Sequence, residues 1–237
     1  MEARDMKVIV LPGLDGTGEL LTEFKTELQG GFDVQVFKYP ENEPLSYTEL
    51  AALVTESLPR DEPYSIIAES FSGPVATLVA SRSPKGLCAI VFVASFLKKP
   101  TPLPKAIAAF AEVVPANSPL LLSLARPFTF GRWTSRALNE RLLKSVRRVS
   151  PKVLASRIRQ IMDVDELSKL SDVKVPMAYL KPTQDRLVCK ETLAAMKAAN
   201  PALDVINVEG PHFVLQTNPK PSGKIVSDFL KSLPTTG

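Results

Sequence analysis

The hydrophobic and polar positions in the first part of the chain alternate between two patterns. One is a short apolar run with the length and content of a strand buried on both faces. The other is a longer segment with apolar residues at helical spacing. The runs cover residues 7–11, 34–39, 65–68 and 89–93, and the segments cover residues 19–28, 47–58 and 73–83. This β-α-β-α-β-α-β order, with connections of crossover length, predicts a parallel sheet with helices on both faces.

The pattern changes after Ala94. From residue 96 to about residue 170 no strand stands out, and four helices are predicted at residues 105–114, 119–125, 134–149 and 151–162. Ser150 and Pro151 favour a helix start, because serine caps a helix and proline fits its first position. We interpret residues 97–170 as a helical cap inserted into an α/β core formed by residues 1–96 and 171–237. Its apolar residues would either roof a pocket or join the cap to the core: Phe110, Leu120, Leu121, Leu122, Phe128, Phe130 and Trp133.

Strand-like runs return after the cap, at residues 175–180 and 203–208, with helices predicted at residues 189–199 and 216–233. One α/β domain with an insertion accounts best for 237 residues. No apolar run reaches the length of a membrane span, and the N-terminus resembles no signal peptide. Cys88 and Cys189 match no metal-ligand spacing and fit a reducing compartment, so a cytoplasmic protein is expected.

Ser70 is the first candidate for chemistry. It lies between a predicted strand and a predicted helix, with Ala68 and Ser72 where a nucleophile elbow usually has glycines. Small residues are needed at such a corner because larger side chains would collide with the neighbouring backbone. A strand-turn-helix connection capped by a serine is the plain alternative. Ser72 is a weaker rival nucleophile, since its second small position would be Pro74.

A glycine-rich loop follows the first predicted strand. Residues 12–18 read Pro-Gly-Leu-Asp-Gly-Thr-Gly, which lacks both the Gly-Lys-Ser/Thr of a P-loop and the Gly-x-Gly-x-x-Gly of a dinucleotide site. The sequence fits an oxyanion loop, whose glycines let a backbone N–H approach a reacting carbonyl. A tight turn is the alternative, and the oxyanion interpretation depends on Ser70.

His212 is the only histidine of the chain and follows the last predicted strand. Imidazole is the most suitable general base near neutral pH. Asp185 follows the preceding strand, and no carboxylate follows the run at residues 89–93 until Glu112. Because loops after parallel strands meet at one edge of the sheet, the order Ser70, Asp185, His212 predicts a catalytic triad. Taken one at a time, His212 could instead be an ordinary surface or core histidine, and Asp185 could be a turn residue.

These motifs together resemble the α/β-hydrolase superfamily over nearly the whole chain. Leu-Pro-Gly-Leu-Asp-Gly-Thr-Gly, Ala-Glu-Ser-Phe-Ser-Gly-Pro, Thr-Gln-Asp-Arg-Leu-Val and Gly-Pro-His-Phe stand in the family order. The chain is similar to compact bacterial esterases that include the pimeloyl-carrier-protein methyl ester esterase group. The resemblance implies Ser70 as nucleophile, Asp185 as acid and His212 as base. It also implies that the backbone N–H groups of Leu14 and Phe71 form the oxyanion hole.

The chain departs from the family pattern in three places. The elbow has Ala68 and Ser72 instead of glycines, and Pro12-Gly13 stands where many relatives have His-Gly. The sheet is also expected to start at the family's third strand. Six parallel strands are therefore expected rather than eight.

The resemblance implies hydrolysis of small or short-acyl esters through an acyl-enzyme, with no metal or organic cofactor. Acyl transfer or another reaction of the same fold is an alternative, and a non-enzymatic binding module with a decayed site is a third. Residues 97–170 hold 14 Lys and Arg against 5 Asp and Glu, within a formal net charge of +4.

This basic surface could dock an acidic carrier protein or an anionic substrate, although a solvated helical surface is the simpler interpretation. Nucleic acid is not expected, because no binding motif accompanies the charge, and the sequence indicates no oligomeric state. The arginines concerned are Arg132, Arg136, Arg141, Arg147, Arg148, Arg157 and Arg159.

Overall fold

The computed structural model describes residues 6–100 and 127–234. The helices predicted at residues 105–114 and 119–125 lie outside these ranges, and so do Phe110 and the leucines at positions 120–122. Within the described ranges, no helix is long and apolar enough to cross a membrane.

A parallel sheet of six strands organises the fold. The strands are β1 (Lys7–Leu11), β2 (Asp33–Val36), β3 (Tyr64–Glu69), β4 (Leu87–Val93), β5 (Met177–Pro182) and β6 (Asp204–Val208). They lie in the order β2-β1-β3-β4-β5-β6, and every neighbouring pair is parallel. The prediction of six parallel strands is confirmed.

Helices cover both faces of the sheet, because alternate residues of a strand point to opposite sides. Val8 and Val10 of β1 share an apolar cluster with the first and last helices, whereas Ile9 and Leu11 share one with helices on the other face. The helices are α1 (Thr22–Gln29), α2 (Tyr47–Ser57), α3 (Ser72–Ala80), α4 (Arg136–Arg148), α5 (Pro151–Asp163), α6 (Lys190–Ala199), α7 (Val214–Thr217) and α8 (Pro219–Lys231). Short 3₁₀ turns occupy Glu19–Leu21, Gly131–Trp133 and Leu167–Asp172.

Two predicted boundaries differ from the structure for clear reasons. The run at residues 34–39 is predicted as one strand, but β2 ends at Val36. Beyond it the chain turns to the loop after β1, where the N–H of Tyr39 donates to the carbonyl of Gly16 at 2.9 Å. The last helix, predicted at residues 216–233, is two helices that meet at Asn218. Pro219 lacks the N–H that would continue α7.

Helices α4 and α5 form an apolar cluster of their own. The side chains of Ser135 and Ser150 cap them by accepting hydrogen bonds from backbone N–H groups of the first turn. Pro151 occupies the first position of α5, so the helix start predicted from this pair is confirmed. Phe130 and Leu20 join the same cluster. The ring of Phe130 also contacts that of Phe213, next to His212, with 4.9 Å between the ring centres.

The connection between β3 and α3 is a strained corner. Ser70 has a φ of 46°, a left-handed conformation that is uncommon outside glycine. Its N–H donates to the carbonyl of Val93 at 2.9 Å, and its carbonyl accepts from the hydroxyl of Ser95 at 2.6 Å. Both bonds hold the corner against the end of β4. A Cβ on Gly73 would overlap with the Ser95 hydroxyl, so only glycine fits there without displacing it.

Gly73→Ala should lower the free energy of unfolding by about 1–3 kcal/mol, as overpacking of a dense region does. The added methyl group would push the Ser95 hydroxyl away from the Ser70 carbonyl. Gly30→Ala is the matched control, because nothing lies within 4 Å of a Cβ at Gly30, and its stability should equal or slightly exceed that of the unchanged protein. Urea unfolding measures both variants, and equal stability of the two would contradict the described packing.

Candidate active site

Three residues from distant parts of the chain meet at the carboxyl edge of the sheet. The hydroxyl of Ser70 lies 2.9 Å from Nε2 of His212, and Nδ1 of His212 lies 3.0 Å from Oδ2 of Asp185. Because an ionised carboxylate can only accept, Nδ1–H donates to Asp185, and Nε2 of the neutral ring accepts from Ser70. The structure thus places serine, imidazole and carboxylate in the arrangement that activates a nucleophile through a general base.

Neighbouring loops position the acid and the base. Asp185 follows β5 and His212 follows β6, and these strands pair side by side. A backbone hydrogen bond of 2.9 Å, from the N–H of Gln184 to the carbonyl of Gly210, joins the two loops next to the functional residues. The side chains of His212 and Asp185 are only 6% and 8% exposed. Burial therefore restricts the imidazole to this arrangement.

The pair is shifted toward its charged forms. Burial raises the pKa of Asp185, whereas the charge and the hydrogen bond of His212 lower it. The N–H groups of Val188 and Leu187 donate to Oδ1 and lower the same pKa further, so the net shift is downward. Burial lowers the pKa of His212, but the charge and hydrogen bond of Asp185, with the charge of Glu69, raise it overall. Asp185 thus stays ionised near neutral pH and can stabilise an imidazolium.

Ser72, the rival candidate, has a different environment. Its side chain is fully buried, and its hydroxyl contacts the carbonyl of Pro12 and, at 2.6 Å, the hydroxyl of Tyr39. These contacts tie the elbow to the loop after β1. They leave the Ser72 oxygen without access to a substrate.

The glycine-rich loop lies directly beside the elbow. The N–H of Gly13 donates to Oε2 of Glu69, the residue before Ser70, at 3.2 Å. Within residues 6–100 and 127–234, neither the N–H of Leu14 nor that of Phe71 has a hydrogen-bond acceptor. Phe71 also precedes α3, whose N-terminal dipole favours negative charge. Both N–H groups could therefore serve a developing oxyanion.

Glu69 is a buried carboxyl group whose contacts the sequence did not reveal. It is 5% exposed, and its oxygens accept from the N–H of Gly13 at 3.2 Å and from Nε2 of Gln216 at 2.7 Å. Gln216 lies in α7, just after His212. Glu69 thus links the glycine-rich loop to the histidine loop. The one signal in the sequence was an acidic residue at the end of a strand predicted to be buried.

Glu69 titrates near neutral pH. Burial raises its pKa to about 7, while the hydrogen bond from Gln216 opposes that rise. The charge of Asp15 raises the pKa, and the charge of His212 and the N–H of Gly13 lower it. Oε1 of Gln216 has no hydrogen-bond partner among the described residues. After rotation of that amide, a neutral Glu69 could donate its proton there.

Many arginines of the basic segment have partners within the chain. Arg157 is buried at 2% exposure, and Arg136 pairs with Glu140 of its own helix at 2.8 Å. Exposed ion pairs of this kind contribute little stability each. Three arginines pair with glutamates of the core, Arg141 and Arg148 from α4 and Arg132 from the 3₁₀ turn that precedes it. These pairs are Arg132 with Glu209, Arg141 with Glu23, and Arg148 with Glu19 and Glu41.

A cleft of about 480 Å³ borders the acid and histidine loops. Gln184 and Pro211, on its wall, are the chain neighbours of Asp185 and His212. In the part of the chain that the structure describes, no cluster of His, Cys, Asp and Glu could hold a metal ion. The lining residues are Pro127, Gly131, Arg132, Thr134, Gln184, Arg186 and Pro211.

Comparison with known proteins identifies the fold. No protein-family model and no curated protein matches the chain. The esterase EaEST from Exiguobacterium antarcticum has a TM-score of 0.85 at 14% identity, over 98% of this chain and 94% of that one. MGS-M2, an alpha/beta hydrolase enzyme from a Medee basin deep-sea metagenome library, has a TM-score of 0.79 at 14% identity, over 100% and 93%. The chain has the α/β-hydrolase fold.

The α/β-hydrolase fold expected from the motifs is thereby confirmed. The enol-lactonase from Burkholderia xenovorans LB400 is also similar, with a TM-score of 0.84 at 14% identity over 97% of this chain and 92% of that one. At such identities the likeness shows the fold and not the reaction. The narrower resemblance to the pimeloyl-carrier-protein methyl ester esterase group stays a prediction. In the α/β-hydrolase fold a triad follows the chain order serine, acid, histidine, which is the order of Ser70, Asp185 and His212.

Asp185→Asn should lower the pKa of the His212 imidazole, because it removes the charge that raises this pKa most. His212 is the only histidine, so an NMR titration of the ring resonances reports a single pKa for each protein. Asp163→Asn, at an exposed position of α5, should leave that pKa unchanged. A pKa in Asp185→Asn equal to or above that of the unchanged protein would contradict the described pairing.

Glu69→Gln should gain stability relative to the unchanged protein as the pH rises. The folded pKa of Glu69 is about 7 against an ordinary 4.5, so between these values the folded protein keeps a proton that the unfolded chain releases. Stability is therefore lost as the pH rises through this window, by roughly 3 kcal/mol in all. Glutamine stays neutral and avoids the loss.

Urea unfolding at pH 5 and pH 8 measures the effect, with Glu56→Gln at an exposed position as the control. The stability difference between Glu69→Gln and the unchanged protein should grow with pH, and that of Glu56→Gln should not. If the stability difference between Glu69→Gln and the unchanged protein is the same at pH 5 and pH 8, the raised pKa of Glu69 is contradicted.

Proposed function

We propose that this protein is a serine carboxylic-ester hydrolase that works through an acyl-enzyme. The observation that carries the proposal is the relay from Ser70 through His212 to Asp185, with distances of 2.9 and 3.0 Å. A serine hydroxyl is a weak nucleophile unless a base lies within hydrogen-bond reach and a third group orients that base. His212 supplies the base, and Asp185 orients it.

Acylation begins when Oγ of Ser70 attacks the ester carbonyl carbon and its proton moves to Nε2 of His212. Asp185 stabilises the imidazolium that forms. The tetrahedral intermediate then collapses, the bond between the carbonyl carbon and the alcohol oxygen breaks, and His212 gives its proton to the departing alcohol. The acyl group remains on Ser70.

Deacylation repeats the same steps with water as the nucleophile. His212 takes a proton from the water, and the water oxygen attacks the acyl carbon. The second intermediate expels Oγ of Ser70, which recovers the proton from His212. The carboxylic acid leaves, and the side chains return to their starting states.

The oxyanion of both intermediates would bind the N–H groups of Leu14 and Phe71. Their lack of acceptors in the described structure and the position of Phe71 at the N-terminus of α3 support this assignment. Each such donor contributes about 3 kcal/mol of transition-state stabilisation in enzymes of this kind.

Small or short-acyl esters are the proposed substrates. The cleft of about 480 Å³ beside the acid and histidine loops, with Gln184 and Pro211 on its wall, is the proposed place for part of the ester next to the triad. Two of the similar structures are named an esterase and an enol-lactonase, and both names denote cleavage of an ester bond. They are consistent with the proposed ester hydrolysis, although the bromoperoxidase from Bacillus anthracis has the same fold, so the proposal is carried by the relay at Ser70 and not by these names.

A carrier-protein-linked substrate has less support. Arg132, Arg141 and Arg148 contact glutamates of the core, and Arg157 is buried. A partner that docked on these arginines would have to compete with the glutamates already in place. The contacts favour a structural role for these residues.

Ser70→Ala should reduce turnover of p-nitrophenyl acetate by a factor of about 10³ or more, since the attacking oxygen is removed. Circular dichroism should show an unchanged fold. Ser72→Ala serves as the matched control: it should still react with a fluorophosphonate probe, and mass spectrometry should locate the adduct on Ser70. Full activity of Ser70→Ala, or an adduct on Ser72 in the unchanged protein, would overturn the proposal.

Product analysis with added methanol separates hydrolysis from acyl transfer. Hydrolysis predicts that the free acid remains the main product as methanol rises through the millimolar range. A methyl ester as the main product under the same conditions would assign the protein to acyl transfer instead.

A further inference from the structure

Arg157 is a buried cation in the middle of α5, far from the triad in sequence. Its side chain is 2% exposed. One guanidinium nitrogen, Nη1, donates to the carbonyls of Leu14 at 2.9 Å and Asp15 at 2.8 Å, and Nη2 donates to the carbonyl of Pro40 at 3.0 Å. The guanidinium therefore holds the backbone of the glycine-rich loop at the residue whose N–H is proposed to bind the oxyanion.

The same guanidinium also faces two aromatic rings. Its central carbon lies 5.6 Å from the ring centre of Tyr39 and 5.9 Å from that of Phe71. A cation at this distance is attracted to the face of an aromatic ring. Arg157 thus contacts both proposed oxyanion residues, Leu14 through its carbonyl and Phe71 through its ring.

No carboxylate among the described residues accepts a hydrogen bond from Arg157. The nearby carboxylate of Asp15 accepts instead from the Thr17 hydroxyl and N–H and, at 2.6 Å, from the hydroxyl of Ser145 in α4. A buried cation without a bonded anion is costly to the fold. Its retention is understandable if the site uses its contacts and its positive charge.

The loop and the guanidinium fit each other closely. Gly16 has a φ of 72°, and a Cβ on Gly16 would overlap with the guanidinium of Arg157. Both α4, through Ser145, and α5, through Arg157, therefore hold the glycine-rich loop in place, in addition to covering the core.

We propose that Arg157 is a positioning residue that sets the oxyanion loop from α5 and adds a positive charge near the developing oxyanion. The inference rests on the proposed ester hydrolysis. Its consequence is that loss of Arg157 weakens binding of the transition state more than binding of the substrate. Such a change lowers kcat and leaves KM nearly constant.

The test compares Arg157→Met, Arg157→Lys and the control Arg147→Met, which changes an exposed arginine of α4. Each protein is assayed with p-nitrophenyl acetate, and inhibition by a trifluoromethyl ketone, which forms a tetrahedral adduct on the serine, is measured alongside. Arg157→Met should lose about tenfold or more in kcat, with KM within about twofold, and an equal factor in affinity for the ketone. Arg157→Lys should fall between, since lysine keeps the charge but not the fork of donors. Arg147→Met should have the kcat, the KM and the affinity for the ketone of the unchanged protein.

A second measurement separates positioning from stability. Guanidinium chloride at low millimolar concentration should restore part of the kcat of Arg157→Ala by filling the vacated site, and should not restore that of Ser70→Ala. A kcat of Arg157→Met within twofold of the unchanged protein would overturn the inference. Equal losses of kcat and of substrate affinity, without rescue by guanidinium, would also overturn it. Failure of both Arg157→Met and Arg157→Lys to fold would do the same, because a purely structural role would then explain the burial of Arg157.

Failure of this inference and failure of the proposed function give different results. If the unchanged protein hydrolyses esters and labels at Ser70 while Arg157→Met does the same at full rate, only the role of Arg157 is wrong. If the unchanged protein neither hydrolyses esters nor labels at Ser70, the proposed function is wrong, and the inference about Arg157 is wrong with it.

Discussion

The two hydrogen bonds of the His212 imidazole are the contacts on which the candidate site depends. They fix the ring between a hydroxyl and a carboxylate that the chain carries 142 and 27 residues away. Three separate features of the fold support them: the strained corner at Ser70, the Asp185 loop after β5, and the histidine loop after β6. Because the imidazole is 6% exposed, burial preserves the arrangement. It also raises the cost of breaking either bond, since a buried polar group would then lack a partner.

The loop after β1 brings three buried ionisable groups close to this relay. Glu69 holds the loop at Gly13, Arg157 holds it at Leu14, and the Asp15 carboxylate belongs to the loop itself. Each of these groups is buried, and each forms its hydrogen bonds mainly with backbone N–H or carbonyl groups, a glutamine amide, or hydroxyls. Groups held this way keep their positions during a reaction, and fixed positions are what electrostatic stabilisation of a transition state requires. Stability and proposed function therefore depend on the same contacts.

The sequence predicted the sheet and its helices well because the four inner strands, β1, β3, β4 and β5, are short runs of mostly buried residues. It also pointed to Ser70, Asp185 and His212, since residues after parallel strands must gather at one edge. It did not predict the end of β2 at Val36 or the break between α7 and α8 before Pro219. Loop contacts set the end of β2, and the missing N–H of Pro219 ends α7. Glu69 and Arg157 were not assigned their present roles, because each depends on partners 56 or more residues away. Hydrophobic periodicity and local motifs do not predict contacts between residues so far apart in the sequence.

The most direct test of the account is a crystal structure of the protein after reaction with a small phosphonate ester. The expected result is a phosphorus atom bonded to Oγ of Ser70. One of its free oxygens should lie about 2.7–3.1 Å from the N–H groups of both Leu14 and Phe71, with Nε2 of His212 beside the leaving-group position. An adduct on another residue, or a free oxygen turned away from both N–H groups, would contradict the account.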